Sequence, residues 1–195
     1  MRCLRSLNLL LSVVLIALLP ASAALALELA DILAVSRVTP PARVEFQEER
    51  HSPLFDEALV LSGYLEYLDY GVLHKVIVSP FSDAFMIDSG EIRLQRDGET
   101  RQISLERRDE LATIIGGIEA ILSGEASLLE SLFDYEILGS ITDWSIELKP
   151  KSRSVARRVP LLSVSGDGDS VVRILIDLRD GERQIMNILH EASER

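Results

Sequence analysis

Cysteine, histidine and aromatic residues are scarce in this chain, which contains one cysteine, three histidines and 5% aromatic residues. Cys3 precedes the first apolar run, whereas a lipidated cysteine directly follows such a run, and a single thiol cannot form an internal disulfide. His51, His74 and His190 are scattered, with no spacing that would bring two metal ligands together. The sequence therefore excludes a disulfide scaffold and predicts no metal site and no cofactor.

Catalytic motifs are also lacking. The chain after residue 26 has no Gly-x-Ser-x-Gly elbow, no Ser-x-x-Lys pair, no cysteine nucleophile, no phosphate-binding loop and no dinucleotide glycine cluster. Carboxylates on two neighbouring segments, Glu45, Glu48 and Glu49 with Glu66 and Asp69, could meet for acid–base chemistry. The solvated face of a strand explains them equally well, so no enzyme and no catalytic residue are predicted.

The first residues have the pattern of a secretory signal peptide. Arg2 and Arg5 precede an apolar run over 7–19, which is shorter than the roughly 20 residues of a bilayer span. Small residues follow, with Ala24-Leu25-Ala26 as the expected cleavage site and Ala21-Ser22-Ala23 as a second one. We therefore expect an exported protein, cleaved near Ala26 and located in the periplasm.

Cleavage at that point would remove 26 of the 195 residues and leave 169, enough for one domain over 27–195. Loss of Arg2 and Arg5 would lower the formal net charge of −11 by two, to −13. A charge of this sign argues against nucleic acid as a partner and against anionic lipid surfaces.

Alternation of polar and apolar residues dominates the rest of the chain. Arg43–Glu48 and Glu57–Asp69 alternate with period two, and Gly63 in the second segment marks a bend or bulge. Further short strands are predicted at 73–78, 84–88, 91–96, 100–103, 135–138, 144–148, 160–165, 171–177 and 182–189. The Asp-Gly pairs at 97–98, 167–168 and 180–181 are typical of hairpin turns, which predicts an antiparallel meander.

The period changes to that of an amphipathic helix between residues 106 and 133. Leu111, Ile114, Ile115, Ile118 and Leu122 form one apolar stripe, and Ser123-Gly124 divides the region into two helical pieces. Gly116-Gly117 costs about 1 kcal/mol per glycine relative to alanine in a helix. This cost indicates either a lid that moves or close packing against a strand.

These segments predict a mainly β, α+β fold: an open, incomplete antiparallel β-barrel of about 10–11 strands with a helical lid. Leu, Ile and Val carry the hydrophobicity, because 47% of residues are hydrophobic but few are aromatic. The surface between sheet and lid could be a filled core or a cavity for acyl chains, and the pattern alone leaves both open.

The chain resembles the LolA-like outer-membrane lipoprotein carrier family. Phe46-Gln47-Glu48 is similar to that family's first-strand pattern, Asp88-Ser89-Gly90 to one of its hairpins, and Val159-Pro160-Leu161 onward to Asp177 to its late strands. The family's arginine-proline pair after the second strand, whose arginine holds the lid, is replaced by Asp69-Tyr70-Gly71. The resemblance therefore implies a divergent relative.

Membership would imply a non-catalytic periplasmic carrier that shields the acyl chains of a lipoprotein, or of another lipid, during transport to the outer membrane. Its implied partners are the acylated cargo, an inner-membrane exporter and an outer-membrane acceptor, and we expect a monomer. The cavity is predicted to be lined by Val44, Phe46, Leu61, Leu65, Tyr67, Val76, Phe85, Ile87, Leu111, Ile114, Ile115, Ile118, Leu122, Trp144, Ile146 and Leu148. For Trp144, an ordinary core position is an equal alternative.

A second hypothesis is a non-catalytic module that uses the same half-barrel to sense lipids or lipoproteins. It would pass its signal through a basic segment that stands out in an acidic chain, comprising Lys149, Lys151, Arg153, Arg157 and Arg158. The same segment could instead be a solvated loop.

Overall fold

Eleven β-strands make up most of the computed structural model, which describes residues 27–190. The predicted signal peptide and its cleavage sites lie outside the described residues. The strands are β1 Ala42–His51, β2 Leu59–Asp69, β3 Val72–Ser79, β4 Asp83–Asp88, β5 Glu91–Arg96, β6 Glu99–Ser104, β7 Phe133–Ser140, β8 Asp143–Pro150, β9 Leu161–Asp167, β10 Ser170–Asp177 and β11 Arg183–Leu189.

Four helices accompany the strands: α1 Leu29–Ser36, α2 Asp109–Ser123, α3 Ala126–Leu132 and the short α4 Arg153–Ala156. A reciprocal capping box between Glu28 and Asp31 starts α1. Gly124, in the left-handed region at φ 80°, ends α2 and directs the chain into α3. Within residues 27–190, no helix is long and apolar enough to cross a membrane.

All strands join one antiparallel sheet in the order β6-β5-β4-β3-β2-β1-β11-β10-β9-β8-β7. The sheet is not closed into a barrel, because β6 and β7 are its two edges. The chain between these edges forms α2 and α3, which contact each other and, through α3, the edge strand β7. The predicted fold class, an open antiparallel barrel with helices, is confirmed.

Gly63 marks a real irregularity in the sheet. The register between β2 and β3 shifts between Ser62 and Gly63, and a side chain at Gly63 would collide with the carbonyl oxygen of Val76. The predicted bulge is therefore present, and its cause is close approach of the neighbouring backbone.

The helices pack solidly on one arm of the sheet. Side chains of α1, α2 and α3 share a buried cluster with β7, β8 and β9, in which Trp144, Ile146 and Leu148 are almost completely buried. A second, smaller cluster on the other arm contains Phe46, Leu61 and Ile77. The concave face is therefore filled on one side only.

The two glycines of α2 explain how the helix comes so close. A Cβ atom at Gly117 would lie 2.8 Å from the Phe133 ring and 3.2 Å from Leu162, and one at Gly116 would lie 2.9 Å from Leu132. Of the two explanations that the sequence left open, these contacts support close packing.

Candidate functional site

An apolar cavity of about 360 Å³ lies between the two buried clusters, on the concave face of the sheet. Its volume falls within the range of about 300–1,000 Å³ typical of small-molecule sites. We call this space the acyl cavity, after the ligand that the sequence analysis predicts for it. Its apolar wall comprises Val38, Val44, Leu65, Leu73, Ile87, Ile115, Ile118, Leu122, Val171, Ile174, Ile176, Met186 and Ile188.

Strand alternation and pairing place the floor of the acyl cavity. Val44 pairs with Leu65 across β1 and β2, and Ile174 pairs with Met186 across β10 and β11. Ile188 pairs with Phe46, which joins the two halves of this floor. Because side chains at paired positions point to the same face of a sheet, these apolar residues form one continuous surface.

Helix α2 supplies the roof. Ile115, Ile118 and Leu122 lie three or four positions apart, so they project from one side of the helix towards the floor. The backbone N–H of Val38, after α1, donates to the carbonyl of Leu122 at 2.8 Å, and this bond ties α1 to the end of α2. The roof is therefore anchored at its C-terminal end.

The structure places part of the predicted set on the acyl cavity. The predicted residues that line it are Val44, Leu65, Tyr67, Ile87, Ile115, Ile118 and Leu122. Among these, Tyr67 is buried at the β2 end of the wall.

The other predicted residues lie elsewhere. Trp144, Ile146 and Leu148 belong to the filled cluster beneath the helices, and Phe46, Leu61 and Phe85 belong to or pack on the smaller cluster. Leu111 and Ile114 are half-buried on α2 but do not line the cavity. Trp144 occupies the ordinary core position that the sequence left as an equal alternative, because α2 and α3 pack on β7–β9.

Val76 is on the wrong face for the prediction. Leu65, on the concave face, pairs with Lys75, so the next residue of β3 points to the convex side. The sequence pattern around Val76 is apolar at consecutive positions, and pairing with β2 decides which of them points inward.

The strands β10 and β11 contribute cavity residues that were not anticipated. Ile174 and Ile176 alternate along β10, and Met186 and Ile188 alternate along β11. The alternation was visible in the sequence, but it does not show that β11 pairs with β1 in the middle of the sheet. That pairing brings both strands under the roof.

A charged cluster interrupts the apolar wall. Glu48, only 1% exposed, accepts hydrogen bonds from the ammonium of Lys75 and from Nε of Arg50, the latter at 2.6 Å. Both Glu48 and Lys75 line the acyl cavity, and Lys75 Nζ lies 4.9 Å from the centre of the Phe46 ring. We call Glu48, Lys75 and Arg50 the inner charge cluster.

The inner charge cluster changes the acidity of its members. Burial disfavours the ionised carboxylate of Glu48, but the attraction and hydrogen bonds of Lys75 and Arg50 together outweigh it and lower the pKa of that group. Burial lowers the pKa of Lys75, although Glu48 opposes the shift. The cavity therefore holds an ionised carboxylate and an ammonium that is short of solvation.

Polar side-chain contacts lie beside the β1–β3 part of the cavity and at the end of β2. Glu66 accepts from Arg43 at 3.2 Å and contacts Nδ1 of His74 at 2.9 Å. Arg37, just after α1, donates to the hydroxyl of Tyr70 at 3.3 Å. Tyr70 belongs to Asp69-Tyr70-Gly71, where the sequence departs from the family pattern, and this contact joins the segment after α1 to the end of β2.

The basic segment is partly neutralised. Arg158 pairs with Glu110 of α2 at 2.8 Å, and Lys151 donates to the carbonyl of Glu130. Lys149, Arg153 and Arg157 are exposed. Partner docking at this segment stays a prediction. Across residues 27–190, no group of three or more His, Cys, Asp or Glu side chains is arranged to hold a metal ion.

Comparison with solved structures finds distant matches that cover most of this chain. A LolA superfamily protein from Nitrosomonas europaea has 14% identity and a TM-score of 0.46, with 85% of this chain and 93% of that chain covered. Lipoprotein LppX from Mycobacterium tuberculosis has 12% identity and a TM-score of 0.41, with 83% and 93% covered. LprF from Mycobacterium bovis has 10% identity and a TM-score of 0.36, with 86% and 94% covered.

No curated protein sequence matches the chain. The profile of the family described as "Outer membrane lipoprotein carrier protein LolA-like" matches residues 21–193, which is nearly the whole chain. The resemblance inferred from Phe46-Gln47-Glu48 and the later motifs is confirmed. The protein therefore belongs to the LolA-like family of outer membrane lipoprotein carrier proteins.

Proposed function

We propose that this protein is a non-catalytic periplasmic carrier whose domain over 27–195 shelters the acyl chain of a lipoprotein, or of another lipid, on its way to the outer membrane. The observation that supports this most is the acyl cavity, an apolar space left open between α2 and the floor strands. An inner-membrane exporter would load it and an outer-membrane acceptor would unload it.

The energetics suit a carrier. Each buried methylene contributes about 0.8 kcal/mol, so ten methylenes in the acyl cavity would contribute about 8 kcal/mol before the costs of binding. An unsheltered chain would have to expose the same surface to water in the periplasm. A cavity that covers part of the chain binds it strongly enough for transit and still allows release.

The side chains of the cavity wall are suited to ligand binding and less suited to catalysis. Ile174, Ile176, Met186 and Ile188 carry no reactive group, and the buried carboxylate of Glu48 is engaged by two cations. A carboxylate with a lowered pKa that is held in this way is a poor general base. A carrier role therefore fits the arrangement.

The test measures binding of a neutral acyl probe, the methyl ester of cis-parinaric acid, by its fluorescence. We expect saturable binding by the delipidated protein. Ile118→Trp should weaken it about tenfold, because the larger ring would displace about two methylenes, worth about 1.6 kcal/mol, from under the roof. Val78→Trp, at a site 58% exposed on β3, is the matched control and should bind as the wild type does.

Two results would contradict the proposal: absence of saturable binding by the wild type, or equal binding by Ile118→Trp and the wild type. Native mass spectrometry of protein purified from its own periplasm gives an independent reading. An acylated species should be released on solvent extraction, and its mass identifies the cargo.

A further inference from the structure

The inner charge cluster places three charged side chains beside a cavity whose wall is mostly apolar. The residues beside it on the floor are Met186 and Ile188, and the Phe46 ring lies within cation–π range of the ammonium. A buried ion pair is usually no more stabilising than apolar residues of the same volume. The fold therefore gains little from charges at this place, which raises the question of what they bind.

The cluster presents its positive side to the cavity. The side chain of Lys75 is 22% exposed, whereas that of Glu48 is 1% exposed and is covered by its two partners. Both residues line the cavity, and a ligand entering it would meet more of the Lys75 side chain than of Glu48. Two cations around one carboxylate also leave the cluster with an excess of one positive charge.

Donors remain for a ligand. An ammonium has three N–H groups and a guanidinium has five. Among residues 27–190, the side-chain hydrogen bonds found for Lys75 and Arg50 are those to Glu48. The ammonium therefore has capacity for an additional acceptor, and an anion would supply the solvation that burial has removed.

The overall charge makes a local cation necessary for an anionic ligand. The chain has a formal net charge of −11, so its field repels anions at long range. An anionic group can then bind favourably in the cavity only if a partly desolvated cation lies close to it. The attraction between the two charges is stronger there, because the local dielectric constant is low.

We propose that the ammonium of Lys75, oriented by Glu48 and backed by Arg50, binds the carboxylate of an acyl chain whose tail lies along Ile174, Met186 and Ile188. This inference rests on the proposed function and narrows the ligand class to anionic single-chain amphiphiles, such as fatty acids. Lys75 is the binding residue, and Glu48 is the positioning residue.

The experiment compares two probes that differ only in the head: cis-parinaric acid and its methyl ester, at pH 8 and low salt. We expect the wild type to bind the acid about tenfold more tightly than the ester, as one hydrogen bond to a charged group allows. Lys75→Met should bring this ratio close to one, whatever its effect on the affinity for the ester alone. Lys75→Arg should restore most of the preference.

Glu48→Gln separates a binding role from a structural one. It removes the competing negative charge, and the amide oxygen can still accept from the Lys75 ammonium and hold it in place, so the preference for the acid should stay or increase. Loss of the preference in this variant would contradict the inference. The double variant Glu48→Gln/Lys75→Met removes both charges together and avoids an unpaired buried carboxylate if Lys75→Met alone does not fold. Its ratio should also be close to one.

The outcomes distinguish the two proposals. If the wild type binds acid and ester equally, or if a folded Lys75→Met keeps the preference, the headgroup inference is wrong and the carrier proposal stands. If the wild type binds neither probe, the carrier proposal fails, and the inference fails with it.

Discussion

The contact of Gly117 with the sheet gives the most direct test of how the roof is held. In Gly117→Ala, the new methyl group would lie 2.8 Å from the Phe133 ring and 3.2 Å from Leu162, and both of these residues are almost completely buried. In Gly116→Ala, the methyl group would meet only the end of the Leu132 side chain, at 2.9 Å. Leu132 is half-buried and can rotate away, whereas Phe133 is fixed in the filled cluster.

Both substitutions increase helix stability by the same amount, but only Gly117→Ala also overpacks the core. Replacing a helical glycine by alanine stabilises a helix by about 1 kcal/mol. Overpacking a well-filled core costs about 1–3 kcal/mol, and this cost applies to position 117. Gly116→Ala should therefore be neutral or stabilising, and Gly117→Ala should be less stable than Gly116→Ala by about 1–3 kcal/mol, because the shared gain cancels.

Urea unfolding, followed by circular dichroism, measures this difference. With a slope of about 2 kcal/mol per M, the two midpoints should differ by about 0.5–1.5 M, with Gly117→Ala lower and the slopes equal. A midpoint for Gly117→Ala equal to or above that of Gly116→Ala would refute the close packing of α2 on the sheet. It would favour instead a roof that stands away from β9.

Three further predictions use other contacts. Trp144→Phe should cost about 1–3 kcal/mol in thermal unfolding, because the indole N–H donates to the Gly168 carbonyl at 2.9 Å, yet it should leave acyl-probe affinity unchanged. The pKa of Glu48 is lower in the folded protein than in the unfolded chain, where it is about 4.3, so the ionised carboxylate stabilises the fold above that pH. This stability is lost as the pH falls through the folded pKa, and Glu48→Gln should therefore flatten the acid side of the stability–pH curve. Arg158→Gln, which breaks an exposed pair, should change unfolding by less than about 1 kcal/mol.

Local patterns were sufficient to predict the elements. Strict alternation in Arg43–Glu48 and the Asp-Gly turns predicted strands and hairpins, and the turn residues Asp97 and Asp180 have positive φ, as expected. The spacing of Ile115, Ile118 and Leu122 predicted one face of a helix, which is the roof of the acyl cavity. These signals depend only on near neighbours in the chain.

Strand pairing between distant parts of the chain determines which side chains face the cavity, and local sequence patterns do not predict that pairing. Val76 and Lys75 are neighbours in the chain, and only the register with β2 shows that Lys75 points inward. Trp144 and Val44 have similar strand patterns, but helices cover one and leave the other open. Glu48 was noted among several carboxylates, and its burial depends on Lys75, which lies on a strand two positions away in the sheet.

The strand order also determines how such a chain must assemble. Phe46 pairs with Ile188, a residue roughly 140 positions later, so the central seam of the sheet has the largest sequence separation of any pairing, while β2–β6 and β7–β10 extend through local hairpins. Each arm can extend through pairings close in the chain, whereas the pairing of β11 with β1 closes the longest loop, so we expect this seam to form late in folding. Until that pairing forms, the side of β1 that later receives β11 is an unpaired strand edge, which makes residues 42–51 a place where another chain could pair during folding.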